Sequence, residues 1–251
     1  MASWSRQRRS LYAALVVVVL AAAAGLPAYF IFHKTPSCSN GIKDGDELGI
    51  DCGGSCQKLC PSSFLTPIVS WTRFEQIAPG LYNAAAYVVN PNPNAGATDV
   101  PYDIQLFDDH GVLVSDTPGV VTLPPHRNTL AFLPSIDTGK RVPAKASFEF
   151  TGIPDWTVKA DTLSPLVVSD KKYSEDAGGS SLSVSLRNSS AFAIGPLSVY
   201  AILYDAARNE VGFSRTKIDG IPADGTAVAP YTWPDDRHGA VVSIEVLPVA
   251  E

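Results

Sequence analysis

The chain has 251 residues, a formal net charge of −6 and a sequence pI near 5.2. That acidic balance, with no basic stripe to neutralise phosphates, argues against a nucleic-acid partner. Proline (20) and glycine (19) are frequent and no long 3.6-period pattern follows Phe32, which points to an all-β protein with many turns.

Residues 1–10 form a basic stub carrying Arg6, Arg8 and Arg9 without an acid. Leu11–Phe32 is then twenty-two residues with no charge. As a helix it covers roughly 33 Å, enough for a ~30 Å hydrocarbon core. The arginines keep the N-terminal end in the cytoplasm by the positive-inside rule and place the rest on the outer side. The competing reading is a cleaved signal peptide ending near Ala22–Ala24. The apolar run is longer than the usual 7–15 residues of such a segment and continues through Tyr29 and Phe32. A single-span, uncleaved signal anchor in the cell membrane is therefore the expectation for 11–32.

All four cysteines, Cys38, Cys52, Cys56 and Cys60, lie in residues 36–61. An even count outside the membrane reads as two disulfides. Of the three pairings, only Cys38–Cys56 with Cys52–Cys60 avoids a bridge across a three-residue gap; it is favoured, with the connectivity open at this stage. Zinc fits poorly, because the Cys38–Cys52 gap is too long for one arm of a structural site. Asp44, Asp46, Glu47 and Asp51 are interleaved with glycines and offer oxygens of the kind calcium takes. The spacing is not that of an EF-hand, and a solvated, disulfide-held turn is the preferred reading. No metal and no cofactor is expected. The segment resembles short C-x-D/N-G-x-x-D/N-G-x-E-x-G-x-D-C-G-G-x-C motifs of bacterial surface and secreted proteins, a pattern with no catalytic role attached.

From Phe64 onward short β-like runs alternate with turns. The first half, 64–151, gives runs at 68–74, 81–90, 102–108, 112–121, 129–133 and 146–150. The second half, 166–251, gives runs at 166–168, 182–188, 197–205, 211–218, 227–233 and 241–247. Leu182, Val184 and Leu186 alternate with Ser183 and Ser185, the half-buried strand pattern. Residues 152–165, with Pro154, Trp156 and Pro165, read as an inter-domain linker.

The halves match in order. Asn90 aligns with Asn188, Ile104–Asp108 with Ala201–Asp205, Val114 with Val211, Leu123-Pro124 with Ile221-Pro222, and Ser147–Phe150 with Ser243–Val246. Two tandem sandwiches made by duplication are the simplest account. The pair Leu106-Phe107-Asp108 and Leu203-Tyr204-Asp205 resembles the FxLYD type of bacterial extracytoplasmic β-sandwich, although neither copy has Phe at the first position. The resemblance implies an Ig-like fold outside the membrane and no activity. Read from the residues alone, each aspartate opens a turn by accepting local backbone N–H bonds.

Catalytic patterns are absent. His33, His110, His126 and His238 are scattered, and no HExxH, GxSxG, P-loop or dinucleotide fingerprint occurs. Asp235-Asp236-Arg237-His238 reads as a solvated loop and Gly178-Gly-Ser-Ser as a turn, while Asn188-Ser-Ser is a glycosylation sequon. The expectation is a non-enzymatic structural or interaction protein of the cell envelope, partnered by another envelope protein. Its rivals are a calcium- or carbohydrate-binding module using exposed Trp71, Trp156 or Trp233, and an enzyme. A binding cleft is expected on the loops or around Trp156.

Overall fold

The computed structural model describes residues 2–32, 36–176, 178–234 and 241–251. Thus His33 and Asp235–His238 lie outside the described residues. The chain divides into two compact units, 1–56 and 57–251.

In the first unit, α1 runs Ala2–Phe32 with Pro27 inside it. Its segment Arg8–Tyr29 has a mean hydropathy of 2.3 and no part buried against protein. This helix is long and apolar enough to cross a membrane. A helix satisfies its own backbone groups, so lipid can surround it without stranded N–H and C=O groups. Residues 36–56 form a turn-rich loop. Cys38 is bonded to Cys56, with Cα atoms 5.6 Å apart, the bridge favoured from the spacing. Cys52 and Cys60 are also disulfide-bonded and no cysteine is free. Gly54 is required here: its φ is +62° and a Cβ would lie 2.2 Å from the Asp46 carbonyl oxygen.

The second unit is all β apart from a 3-10 turn at Pro61–Ser63. Its first half holds β1 (Ile68–Ala78), β2 (Leu81–Val89), β3 (Ala95–Phe107), β4 (Leu113–Leu123), β5 (Asn128–Asp137) and β6 (Lys145–Phe150). A two-residue strand, β7 (Thr157–Val158), follows. The second half holds β8 (Leu166–Asp176), β9 (Gly179–Asn188), β10 (Leu197–Tyr204), β11 (Glu210–Ile218), β12 (Thr226–Trp233) and β13 (Ser243–Ala250). All the expected runs are strands. β8 is longer than expected: Ser169–Asp176 is polar apart from Tyr173, which packs on the second core, so no apolar alternation marks this edge strand.

The strand orders are β1-β2-β5 and β4-β3-β6 in the first half, and β8-β9-β12 and β11-β10-β13 in the second. All pairings are antiparallel. Each half thus takes its six strands through the same path. Alternation explains the two cores. Tyr102, Ile104 and Leu106 of β3 point inward with Ala84, Ala86 and Val88 of β2, while Leu182, Val184 and Leu186 of β9 meet Val199, Ala201 and Leu203 of β10. Each fully buried Val, Leu or Ile among them contributes about 1.5–3 kcal/mol.

Strand pairing corrects one alignment. Ile104 pairs with Phe148 and its counterpart Ala201 pairs with Val246. Ser147 therefore corresponds to Glu245, two residues from the sequence match with Ser243. Short, alternating strands score equally well when slipped by two, because the facing pattern is unchanged.

Residues 152–165 are packed rather than a free tether. β7 pairs with Ala95 and Gly96 of β3, Leu163 is buried, and Trp156 is 2% exposed, 5.3 Å from the Phe64 ring. The tryptophan closes the end of the first core, so no cleft surrounds it.

Candidate functional site

β2 and β10 break the alternation. Ala84, Ala85 and Ala86 are wholly buried, as are Val199, Ala201, Ile202 and Leu203. A strand buried on both faces needs a second apolar layer. That layer is a seam in which the outer face of β1-β2-β5 packs on the outer face of β11-β10-β13. Ala85, Tyr87, Leu130 and Phe132 meet Tyr200, Ile202, Phe213, Leu247 and Val249. Trp71 lies 5.6 Å from Tyr87 and 6.3 Å from Phe213, ring to ring. Of the three tryptophans expected as exposed binding aromatics, Trp71 is half-buried in this seam, and Trp156 and Trp233 are core residues. Trp233 donates its ring N–H to the Phe213 carbonyl at 3.3 Å.

The seam has a polar latch. Tyr87 and Tyr204 each donate a hydroxyl to the Glu245 carboxylate, at 2.8 and 2.9 Å. Asn128 donates to the Tyr87 oxygen at 2.7 Å. Burial and then the Glu245 charge push both tyrosines well above their ordinary range. At the periphery Arg73 pairs with Glu210, and the Arg215 guanidinium lies 5.4 Å over the Phe132 ring. The motif tyrosine therefore has a duty in the second half that Phe107 lacks in the first.

Asp108 and Asp205 are turn formers, one in each half. Asp108 Oδ1 accepts from His110 and Val112 N–H at 3.0 and 2.8 Å; Asp205 Oδ1 accepts from Ala207 and Asn209 N–H, both at 2.8 Å. These bonds hold both carboxyls below the usual aspartate range: the Val112 N–H leads for Asp108, and the Asn209 side chain and N–H for Asp205. Leu106 and Leu203 are wholly buried, one in each core. Asn90 and Asn188 do matching work. Asn90 donates to the Ala95 and Pro124 carbonyls at 2.8 Å, and Asn188 to the Phe192 and Pro222 carbonyls at 2.7 and 3.0 Å. Each ties the segment after its own strand to the loop two strands further along the chain. Asn188 is 0% exposed, so the folded chain does not offer its sequon to a glycosyl-transferring enzyme.

The acids of the cysteine segment are spent on local backbone. Asp44 Oδ1 accepts from Ser37 N–H at 3.2 Å, Asp51 Oδ1 from Asn40 N–H at 2.8 Å, and Glu47 Oε2 from Asp44 and Asp51 N–H at 3.3 and 3.2 Å. Asp46 accepts the Ser55 hydroxyl at 2.7 Å, which lowers its carboxyl below the usual range. Among the described residues the four carboxylates do not gather into one ligand set; Glu47 instead lies beside Cys38 and Cys56, whose sulfurs are bonded to each other.

Next to the latch is a cavity of about 420 Å³ lined by Tyr204, Arg208, Ser243, Ile244 and Glu245. It offers a cation, a carboxylate and two hydroxyls, groups suited to orienting a polar ligand or a partner side chain. His110, 2.6 Å from Asp109, is fully on the surface with no nucleophile paired to it among the described residues. The seam itself escaped sequence reasoning, yet its signal was present: 84–89 and 199–204 are continuous apolar runs.

No family model and no curated protein matches the chain. Solved structures similar to it include red sea bream transglutaminase, at 13% identity and a TM-score of 0.24 over 76% of this chain and 30% of that one. A glycoside hydrolase family 2 beta-glucuronidase matches at 9% identity and 0.22 over 69% and 24%. The calcium binding domain CBD12 of CALX1.1 matches at 12% identity and 0.20 over 71% and 79%. The chain thus spans under a third of the two enzymes. Likenesses this slight carry no argument about activity.

Proposed function

We propose that this chain is a single-pass, membrane-anchored, extracytoplasmic protein of the cell envelope. Its two duplicated Ig-like sandwiches of the FxLYD type serve a non-enzymatic role in binding another envelope protein. The apolar helix would anchor it with the arginine-bearing end in the cytoplasm. The observation that carries this reading is the seam. Regular apolar residues are committed to two cores and one interface, and most polar side chains cap turns or carbonyls. What is left for function is surface: loops, the open outer faces and the cavity beside Arg208. Such surfaces suit a protein partner held at raised local concentration in the same membrane.

A photo-crosslinking residue placed at Arg208 in native membranes should give one discrete adduct, and the same residue at buried Phe213 should give none. Absence of an adduct from Arg208 and from the other outer loops would contradict the reading. So would turnover of any substrate that is lost on replacing Glu245 or Arg208. Chelator should leave thermal unfolding unchanged; a chelator-induced drop in Tm would favour a calcium module instead.

A further inference from the structure

The seam is heterologous. The first half contributes its β1-β2-β5 face, and the second contributes the sheet that corresponds to the first half's β4-β3-β6. A contact of that kind does not close on itself. It leaves β4-β3-β6 open on one side and β8-β9-β12 open on the other, and these two faces correspond to the two already joined. A second copy could therefore stack head-to-tail in the same mode, and a third on that.

We propose that the residues on the two open faces block this propagation and end the stack at two sandwiches. Strand pairing gives the correspondence position by position. Trp71 pairs with Tyr87 as Asp170 pairs with Ser185, and Phe213 pairs with Ile202 as Asp116 pairs with Gln105. The Trp71–Phe213 contact would become Asp170 against Asp116. The hydrogen-bonded Tyr87 and Glu245 correspond to Ser185 and Ser147. The stacked Phe132 and Arg215 correspond to Pro230 and Pro118, and the paired Arg73 and Glu210 to Lys172 and Leu113. Each of these four contacts is replaced by a repulsion, a loss of reach or a charge facing an aliphatic side chain, with Lys172 keeping Asp170 as its own partner at 3.4 Å. Asp103 also sits directly across from Glu149, where the second half places Tyr200 across from Leu247. Like charges facing across strands destabilise the sheet that holds them, so these acids work against the fold locally while keeping its outer face from pairing.

The test uses the full chain in detergent and sedimentation velocity. One variant converts the first open face (Asp103→Tyr, Gln105→Ile, Asp116→Phe, Glu149→Leu). Another converts the second (Asp170→Trp, Ser185→Tyr, Val228→Leu, Pro230→Phe). Wild type and each variant alone should sediment as one chain, and an equimolar mixture should form a complex of two. The mixture should associate on the order of tenfold or more tighter than either variant with itself. Should a converted face fail to fold, a charge cycle gives the same answer at the surface. Asp170→Lys alone and Asp116→Lys alone should each raise salt-sensitive association, and the double variant should return to the wild-type level. Self-association of wild type through these faces, a mixture that stays monomeric, or lysine effects that simply add would overturn the proposal.

Discussion

The sheets β4-β3-β6 and β11-β10-β13 follow the same strand order and face different surroundings. Inside, both present aliphatic side chains to a sandwich core: Ile104 and Leu106 in one, Ala201 and Leu203 in the other. Outside, one carries Asp103, Gln105, Asp116 and Glu149 and meets water, while the other carries Tyr200, Ile202, Phe213 and Leu247 and is covered. The inner face sets the fold and is nearly indifferent to the copy. The outer face sets what the fold touches. A few outward positions separate a solvated surface from an apolar joint that fuses two sandwiches.

The comparison breaks most visibly at Ile202. An aspartate there buries a charge with no partner in the seam, so Ile202→Asp should cost more than about 4 kcal/mol, read by urea unfolding. At the corresponding open position, Gln105→Asp loses a hydrogen bond to Asp116 and faces its charge across the strands, yet should cost only about 1 kcal/mol. Asn188→Ala comes next. It strands buried carbonyls of two loops and should cost about 2–3 kcal/mol, with Asn90→Ala costing a similar amount in the first half, because at this pair the two halves agree. Tyr204→Phe removes one hydrogen bond to the Glu245 carboxylate and should cost about 1.5 kcal/mol, whereas Phe107→Tyr adds a hydroxyl at an outward, half-exposed position and should cost close to nothing.

The smallest effect is on pH. Burial raises Tyr87, Tyr102, Tyr200, Tyr204 and Tyr231 above the ordinary tyrosine range. A raised folded value favours the neutral form, so this contribution is whole below about pH 10 and is lost as pH rises through the folded values. Ultraviolet titration of the folded chain should show these five tyrosines ionising above the ordinary range. If these five ionise near pH 10, the burial described for the seam and cores is wrong.

Much of this was legible in the sequence. The apolar stretch 11–32 is legible as one helix long and apolar enough to cross a membrane, and the alternation at Leu182–Leu186 names an inner face without ambiguity. Asp108 and Asp205 were readable as turn formers because an aspartate at a strand end bonds its own turn. The seam was harder. Period-two reasoning assumes that one face of each strand meets water, and Tyr87, Tyr200 and Ile202 violate that assumption from both sides at once. Trp156 was misread for a related reason: proline-rich surroundings mark a change of chain direction and say nothing about whether the side chain between them is buried. Glu245 carries no local mark at all. Its role exists only because Tyr87, 158 residues away, reaches it.

The central claim is that the seam makes the two sandwiches one cooperative body, and it is tested most directly by watching each sandwich unfold separately. Fluorine-labelled tryptophan gives one resonance for Trp156 in the first core and one for Trp233 in the second. In urea the two should lose their native signals at the same midpoint in the wild-type chain and at separate midpoints in Ile202→Asp. Separate midpoints in the wild-type chain, or coincident ones after Ile202→Asp, would contradict the account.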